Sequence, residues 1–158
     1  MKYSISVFLE SKDDVIRKIE IDSKCSLLEL HNFIIECFDL QKNELASFYI
    51  TDQELEIIEE IPLFSFEENN NRNMEDTELE SILNSNNNKL IYVYDYMLMW
   101  RFLVELTSDI GEIKEKKCIS SIGVMPKDAP EVNFTANKED KYNEDPYEDE
   151  YNQDDESY

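Results

Sequence analysis

The stretch "YVYDYMLMWRFLVEL", residues 92–106, sets two runs of strand-forming residues on either side of a short interruption, and its reading decides the fold. Alternating Tyr, Val, Phe and Leu predict strands over about 89–96 and 100–107. Large side chains fall on both faces of the first run, Ile91 and Val93 against Leu90, Tyr92 and Tyr94, so these strands belong near the middle of a sheet. The interruption holds no residue that favours a positive φ at its centre. A tight two-residue turn is therefore ruled out, and the connection spans Met97 to Trp100. Met97, Met99 and Trp100 are adaptable or large side chains that either fold back over the end of the core or form an exposed contact patch, for instance at a homodimer interface.

Working outward, "YSISVFLE" alternates through Tyr3, Ile5, Val7 and Leu9, and "VIRKIEID" aligns Val15, Ile19 and Ile21 across the polar link "SKDD". This is a β-hairpin. In "SLLELHNFIIECFDL" the period changes: Leu27, Leu30, Ile34 and Phe38 recur at three- and four-residue steps, the stripe of an amphipathic helix. Ser26 and Glu29 stand at capping-box spacing before it, and Thr77 and Glu80 repeat that spacing before "ELESILN", a short helical turn. Strand patterns return in "ELASFYIT" and in "ELEIIEEIPLF", the latter limited by Pro62. A weaker extended segment is expected around 116–122.

Such an order predicts an α+β domain with a mixed, mostly antiparallel sheet and one main helix packed on one face, and its hairpin–helix–strand opening is also that of the β-grasp arrangement. The domain is expected to span residues 1–127, with a flexible loop at about 67–76 where Asn and acidic residues crowd together. Residues 128–158 read as an acidic, disordered tail.

The chain of 158 residues carries 37 acidic and 15 basic residues, a net charge of −22. That balance repels phosphate backbones and anionic lipid, so direct nucleic-acid binding is not expected, whereas basic partners would be attracted. No apolar run approaches the length of a membrane span. Cys25, Cys37 and Cys118 are odd in number and widely spaced, which fits reduced thiols in a cytoplasm and neither a disulfide framework nor a metal knuckle. Two glycines, Gly111 and Gly123, exclude any glycine-rich phosphate loop, and no cofactor signature is present.

Three segments together, "LLELHNFIIECFDL", "ELASFYI" and "TELESILN" followed by "KLIYVYDYMLMW", resemble the plasmid pRiA4b ORF-3-like family, some of whose members are labelled insertion-element passenger or TnpR-type proteins. The resemblance runs over about residues 3–126, strongest at Leu30, His31 and Ile34, at Leu79, Ile82 and Leu83, and from Tyr92 to Trp100. Here Met97 and Leu98 replace a Gly-Asp pair usual in the family, and a Pro-rich Glu-Asp-Cys-Gly-Gly segment is missing, which marks a divergent branch with a Asp-Tyr-Met motif. The resemblance implies an association with mobile elements and no reaction.

The residues singled out as ligand or partner contacts are His31, Tyr94, Asp95, Tyr96, Met97, Met99, Trp100 and Arg101. His31, the lone histidine, stands at the edge of the helical stripe, and Cys25 and Cys37 are not spaced to share a metal with it. Asp95 is read first as an acceptor for backbone N–H groups of the turn and second as a polar anchor with Arg101 as charge partner. Three functions follow as expectations. The first is a non-enzymatic protein-interaction or adaptor domain using the apolar patch. The second is a small ligand-binding or catalytic domain with a pocket at Asp95, Arg101 and His31, which requires those side chains to converge. The third is an acidic nucleic-acid mimic.

Overall fold

The computed structural model describes residues 1–65 and 72–130. Strands β1 (Lys2–Leu9), β2 (Ile16–Asp22), β3 (Ala46–Thr51), β4 (Ile57–Pro62), β5 (Lys89–Tyr94), β6 (Trp100–Ser108) and β7 (Lys117–Ile122) form one sheet in the order β4-β3-β5-β6-β1-β2-β7. Every neighbouring pair is antiparallel. The expected mixed α+β sheet is thereby corrected. Against seven strands stand only α1 (Leu27–Phe38) and the four-residue α2 (Leu79–Ile82). The topology explains why: β6 turns back on β5 and then lies antiparallel against β1, and no crossover among the described strands makes a parallel pair. The likeness to a β-grasp falls with it, because that arrangement needs a parallel pair.

Strand register assigns the two faces. Tyr92 lies between Phe48 of β3 and Phe102 of β6, and Val104 faces both Leu90 and Val7, all on one buried face. The ring centroids of Phe48 and Phe102 are 4.7 and 5.7 Å from that of Tyr92. Helix α1 reaches the same face through Phe38, 4.9 Å from Phe102. Residues one step along, such as Val93 and its partner Arg101, point to the opposite face.

The helix begins as its sequence requires, with the Ser26 hydroxyl accepting from the Glu29 N–H at 3.2 Å. It ends at Asp39 in the left-handed region, whose N–H donates to Glu36 and Ile35. Beside that end sits Arg17, a buried cation on the helix-facing side of β2. Its Nε donates to the Cys37 carbonyl at 3.0 Å, its Nη1 to the carbonyls of Ile122 and Gly123 at 3.0 and 3.2 Å, and its guanidinium lies 4.9 Å from the Phe38 ring centroid. A positive charge there meets the carbonyl end of the α1 dipole.

The second capping box does not form. Thr77 donates its hydroxyl to the Asn73 carbonyl, and the Glu80 carboxylate accepts from the Ser23 hydroxyl at 2.7 Å. Tertiary bonds have claimed both side chains, and α2 docks on the β2–α1 connection through Leu79 N–H to Cys25 and Glu80 N–H to Ser23. Of the loop expected at about 67–76, residues 67–71 lie outside the described residues. Its end is anchored: Met74 is fully buried and bonds Pro62 and Leu28 through its backbone. The acidic tail lies outside the described residues from 131 onward.

Candidate functional site

The connection between β5 and β6 occupies residues 95–99, and its conformation follows from one side chain. Asp95 has φ 64°, a left-handed value that Asp tolerates better than most residues. Its Oδ1 accepts from the N–H of Met97 at 3.0 Å and of Leu98 at 3.2 Å, while its carbonyl accepts from the Met99 N–H at 2.6 Å. Its own N–H donates to the Leu45 carbonyl at 2.8 Å. Met99 returns the chain into β6, also at positive φ. The Asp95 carboxylate thus supplies the geometry that no glycine supplies here.

A turn closed in this way presents its apolar residues outward. Met97 is 90% exposed, Leu98 55% and Tyr96 40%. The Tyr96 ring is tethered, its hydroxyl donating to the Ser47 hydroxyl, with the Ala46 carbonyl 3.1 Å away. Ser47 in turn donates to Glu60 at 2.7 Å. Burial, with Glu60 nearby, raises the Tyr96 phenol above its ordinary range. Glu60 acts on the Tyr96 phenol, and Glu44 and Asp95 on that of buried Tyr94.

Trp100 does not join the patch. It is the first residue of β6, opposite Tyr94, with its side chain in the core. Tyr94 is buried as well, and its hydroxyl has no hydrogen-bond partner among the described residues. Burial pushes that phenol up to about 12.

The three residues of the expected pocket are held apart. His31 is buried in α1, its Nδ1 hydrogen-bonded to the Tyr92 hydroxyl at 2.7 Å, and desolvation lowers its imidazole to about 4. Arg101 points to the other face of the sheet from Tyr92 and meets Glu10 at 3.2 Å, not Asp95. His31 instead forms part of the wall of a groove of about 940 Å³ between α1 and residues 39–45, to which neither Asp95 nor Arg101 contributes. Charges there are mixed, with Glu36, Asp39 and Glu44 against Lys42 and Lys116.

Leu98, exposed beside Met97 on the same turn, is not among the residues singled out from the sequence. Among the described residues no group of three or more His, Cys, Asp or Glu side chains is placed to hold a metal ion. No helix among them is long and apolar enough to cross a membrane.

The family described as plasmid pRiA4b ORF-3-like protein matches residues 2–153, further into the acidic segment than the motifs quoted above. No curated protein matches the chain. Among solved structures the chain is similar to a protein of unknown function, MM3350, from Methanosarcina mazei Go1, with 16% identity and a TM-score of 0.69 over 82% of this chain and 75% of that one. At that identity the likeness is one of fold.

Proposed function

We propose, on the premise that this chain belongs to the plasmid pRiA4b ORF-3-like family, that its folded body is a non-catalytic protein-interaction module whose Tyr96–Leu98 tip enters an apolar, basic-rimmed pocket on a partner protein. The observation that carries this reading is the exposure of Met97 and Leu98 on a turn fixed by four hydrogen bonds of Asp95. A tip ordered before binding loses little conformational entropy on docking, so its apolar area converts efficiently to affinity. Met and Tyr are side chains favoured in such contacts.

Charge selects the occupant. Glu60 beside Tyr96, Asp95 within the turn and a net charge of −22 favour a basic partner over a second copy of the chain, which would bring like charge to like. The reading places the body at residues 1–127 with an acidic extension beyond it, in a reducing cytoplasm, and alongside mobile elements as the family resemblance implies. A DNA-binding protein is one partner of suitable charge.

Site-specific photocrosslinking tests it. A photoreactive residue at Met97 should yield one discrete adduct, absent when the same residue stands at Val124, which is 85% exposed. The purified adduct partner should bind the chain in titration, about tenfold more weakly after Leu98→Ser and more weakly with rising salt. An adduct to a second copy would replace the heterologous partner with a homodimer. Equal adducts from both positions, or none, would sink the proposal.

A further inference from the structure

At the opposite rim of the sheet, we infer that Cys37 and Cys118 are a redox-active pair that closes to an intramolecular disulfide and clips the edge strand β7 onto α1. Register carries the first part of the argument. Cys118 lies opposite Ile19 in the antiparallel β2–β7 pair, so its side chain leaves the sheet on the side of Ile19, which belongs to the main core. The bulge at Lys18 and Ile19 keeps Ser121, opposite Arg17, on that side too, and the Cys118 thiol lies 3.6 Å from the Ser121 hydroxyl.

Spacing carries the second part. The Lys116 ammonium lies 5.5 Å from the centroid of the Phe33 ring on α1. Phe33 and Cys37 are one helical turn apart, about 6 Å of rise, and Lys116 and Cys118 are two extended residues apart, about 6.6 Å. Equal steps along helix and strand bring Cys37 level with Cys118, and Cys118 is among the groups that raise the Cys37 thiol. Arg17 pins the same corner by bonding the Cys37 carbonyl together with those of Ile122 and Gly123. Cys25, buried ahead of α1, precedes Phe33 by eight residues and so lies on the other side of the Lys116 contact from Cys37.

The chemistry balances with a low-molecular-weight disulfide as oxidant. Exposed Cys118, as thiolate, attacks one sulfur of RSSR; the S–S bond breaks and RS⁻ leaves to take up a proton. Half-buried Cys37 then gives its proton to water and attacks the Cys118 sulfur, expelling the second RS⁻. Two protein thiols are oxidised and one RSSR becomes two RSH. Burial pushes the Cys37 thiol up to about 12, so closure is the slow step and accelerates as pH rises. Closing the pair fastens β7, which among the described residues pairs with β2 alone and exposes most of its length.

The test is equilibration of the full chain in glutathione buffers over a range of oxidised-to-reduced ratios, followed by acid quench, alkylation and peptide mapping by mass. The expected product is lighter by two hydrogens, yields one cross-linked peptide pair holding Cys37 and Cys118, and leaves Cys25 alkylated. Amide exchange in β7 should slow about tenfold or more in that product. With Cys37→Ser the reaction should stop at a glutathione adduct on Cys118, and with Cys118→Ser neither product should form. A stable adduct on Cys118 in the unsubstituted chain, a Cys118–Cys118 dimer, or a bridge to Cys25 would each overturn the inference. Mapping the unsubstituted chain decides the matter even if a serine variant fails to fold.

Discussion

His31 and Tyr92 share a buried hydrogen bond of 2.7 Å between α1 and the middle of the sheet, and desolvation holds the imidazole neutral down to about 4. The unfolded chain protonates this residue near its ordinary 6.5, so between 6.5 and 4 the unfolded state binds a proton that the folded state refuses. Stability is therefore complete above 6.5 and falls as pH drops towards 4, by an amount on the order of 3 kcal/mol. Urea unfolding at a series of pH values checks this. As the chain has one histidine, His31→Gln should remove the decline between pH 6.5 and 5, where carboxylates contribute least.

Asp95 is the residue on which the β5–β6 turn depends. Asp95→Ala loses the bonds to Met97 and Leu98 and places a Cβ residue with no compensating bond at positive φ, a cost of about 2 kcal/mol. Asp95→Asn keeps an acceptor and the tolerance for that conformation, and should cost less than about 0.5 kcal/mol. Denaturant midpoints of the two variants separate the carboxylate's geometry from its charge.

Tyr94 offers the reverse case. Its buried hydroxyl finds no partner among the described residues, so Tyr94→Phe removes a desolvated polar group without orphaning another. The variant should be as stable as the parent or more so, by up to about 1 kcal/mol. A loss of 1 kcal/mol or more in chemical denaturation would show that the hydroxyl is satisfied.

Arg17→Leu should destabilise by about 3 kcal/mol, because four carbonyls, those of Ile16, Cys37, Ile122 and Gly123, lose a charged donor. Arg17→Lys should recover only part, since an ammonium cannot serve carbonyls in divergent directions as a planar fork does. Thermal melts order the three proteins.

Gly123 has φ +78°, and a Cβ there would drive into the Asp14 carbonyl oxygen. Gly123→Ala therefore forces β7 away from the β1–β2 connection. Hydrogen exchange should show β7 amides losing protection while those of β5 and β6 keep theirs.

The sequence discloses α1 well, since Leu27, Leu30, Ile34 and Phe38 fall on one helical stripe and Ser26 caps it. It discloses the strand segments for the same reason of period. It cannot disclose their sense, because parallel and antiparallel strands share one two-residue repeat, and the direction in which β6 meets β1 is a property of the whole topology. Thr77 and Glu80 have the spacing of a cap, yet Asn73 and Ser23 offer better bonds once the chain is folded. Arg17 is hidden for a related reason: a charged residue in an apolar slot of a strand reads as an interruption until the helix end it serves is in place. Within the candidate site, the missing turn formers at 97–99 foretell an unusual connection and Asp95 its acceptor role, whereas Trp100, one step further, belongs to the core.

Among the described residues the open sheet ends in two strands with one neighbour each, and both are greasy: Ile57 and Ile58 on β4, Ile119 and Ile122 on β7. Each rim is a template onto which a foreign strand could lay itself, and the molecule's main guard against such fibrous growth is mutual repulsion between highly acidic copies. That guard is made of long-range field and not of shape, so concentrated electrolyte or acid, which quench it, should be the conditions under which this protein first gels or precipitates.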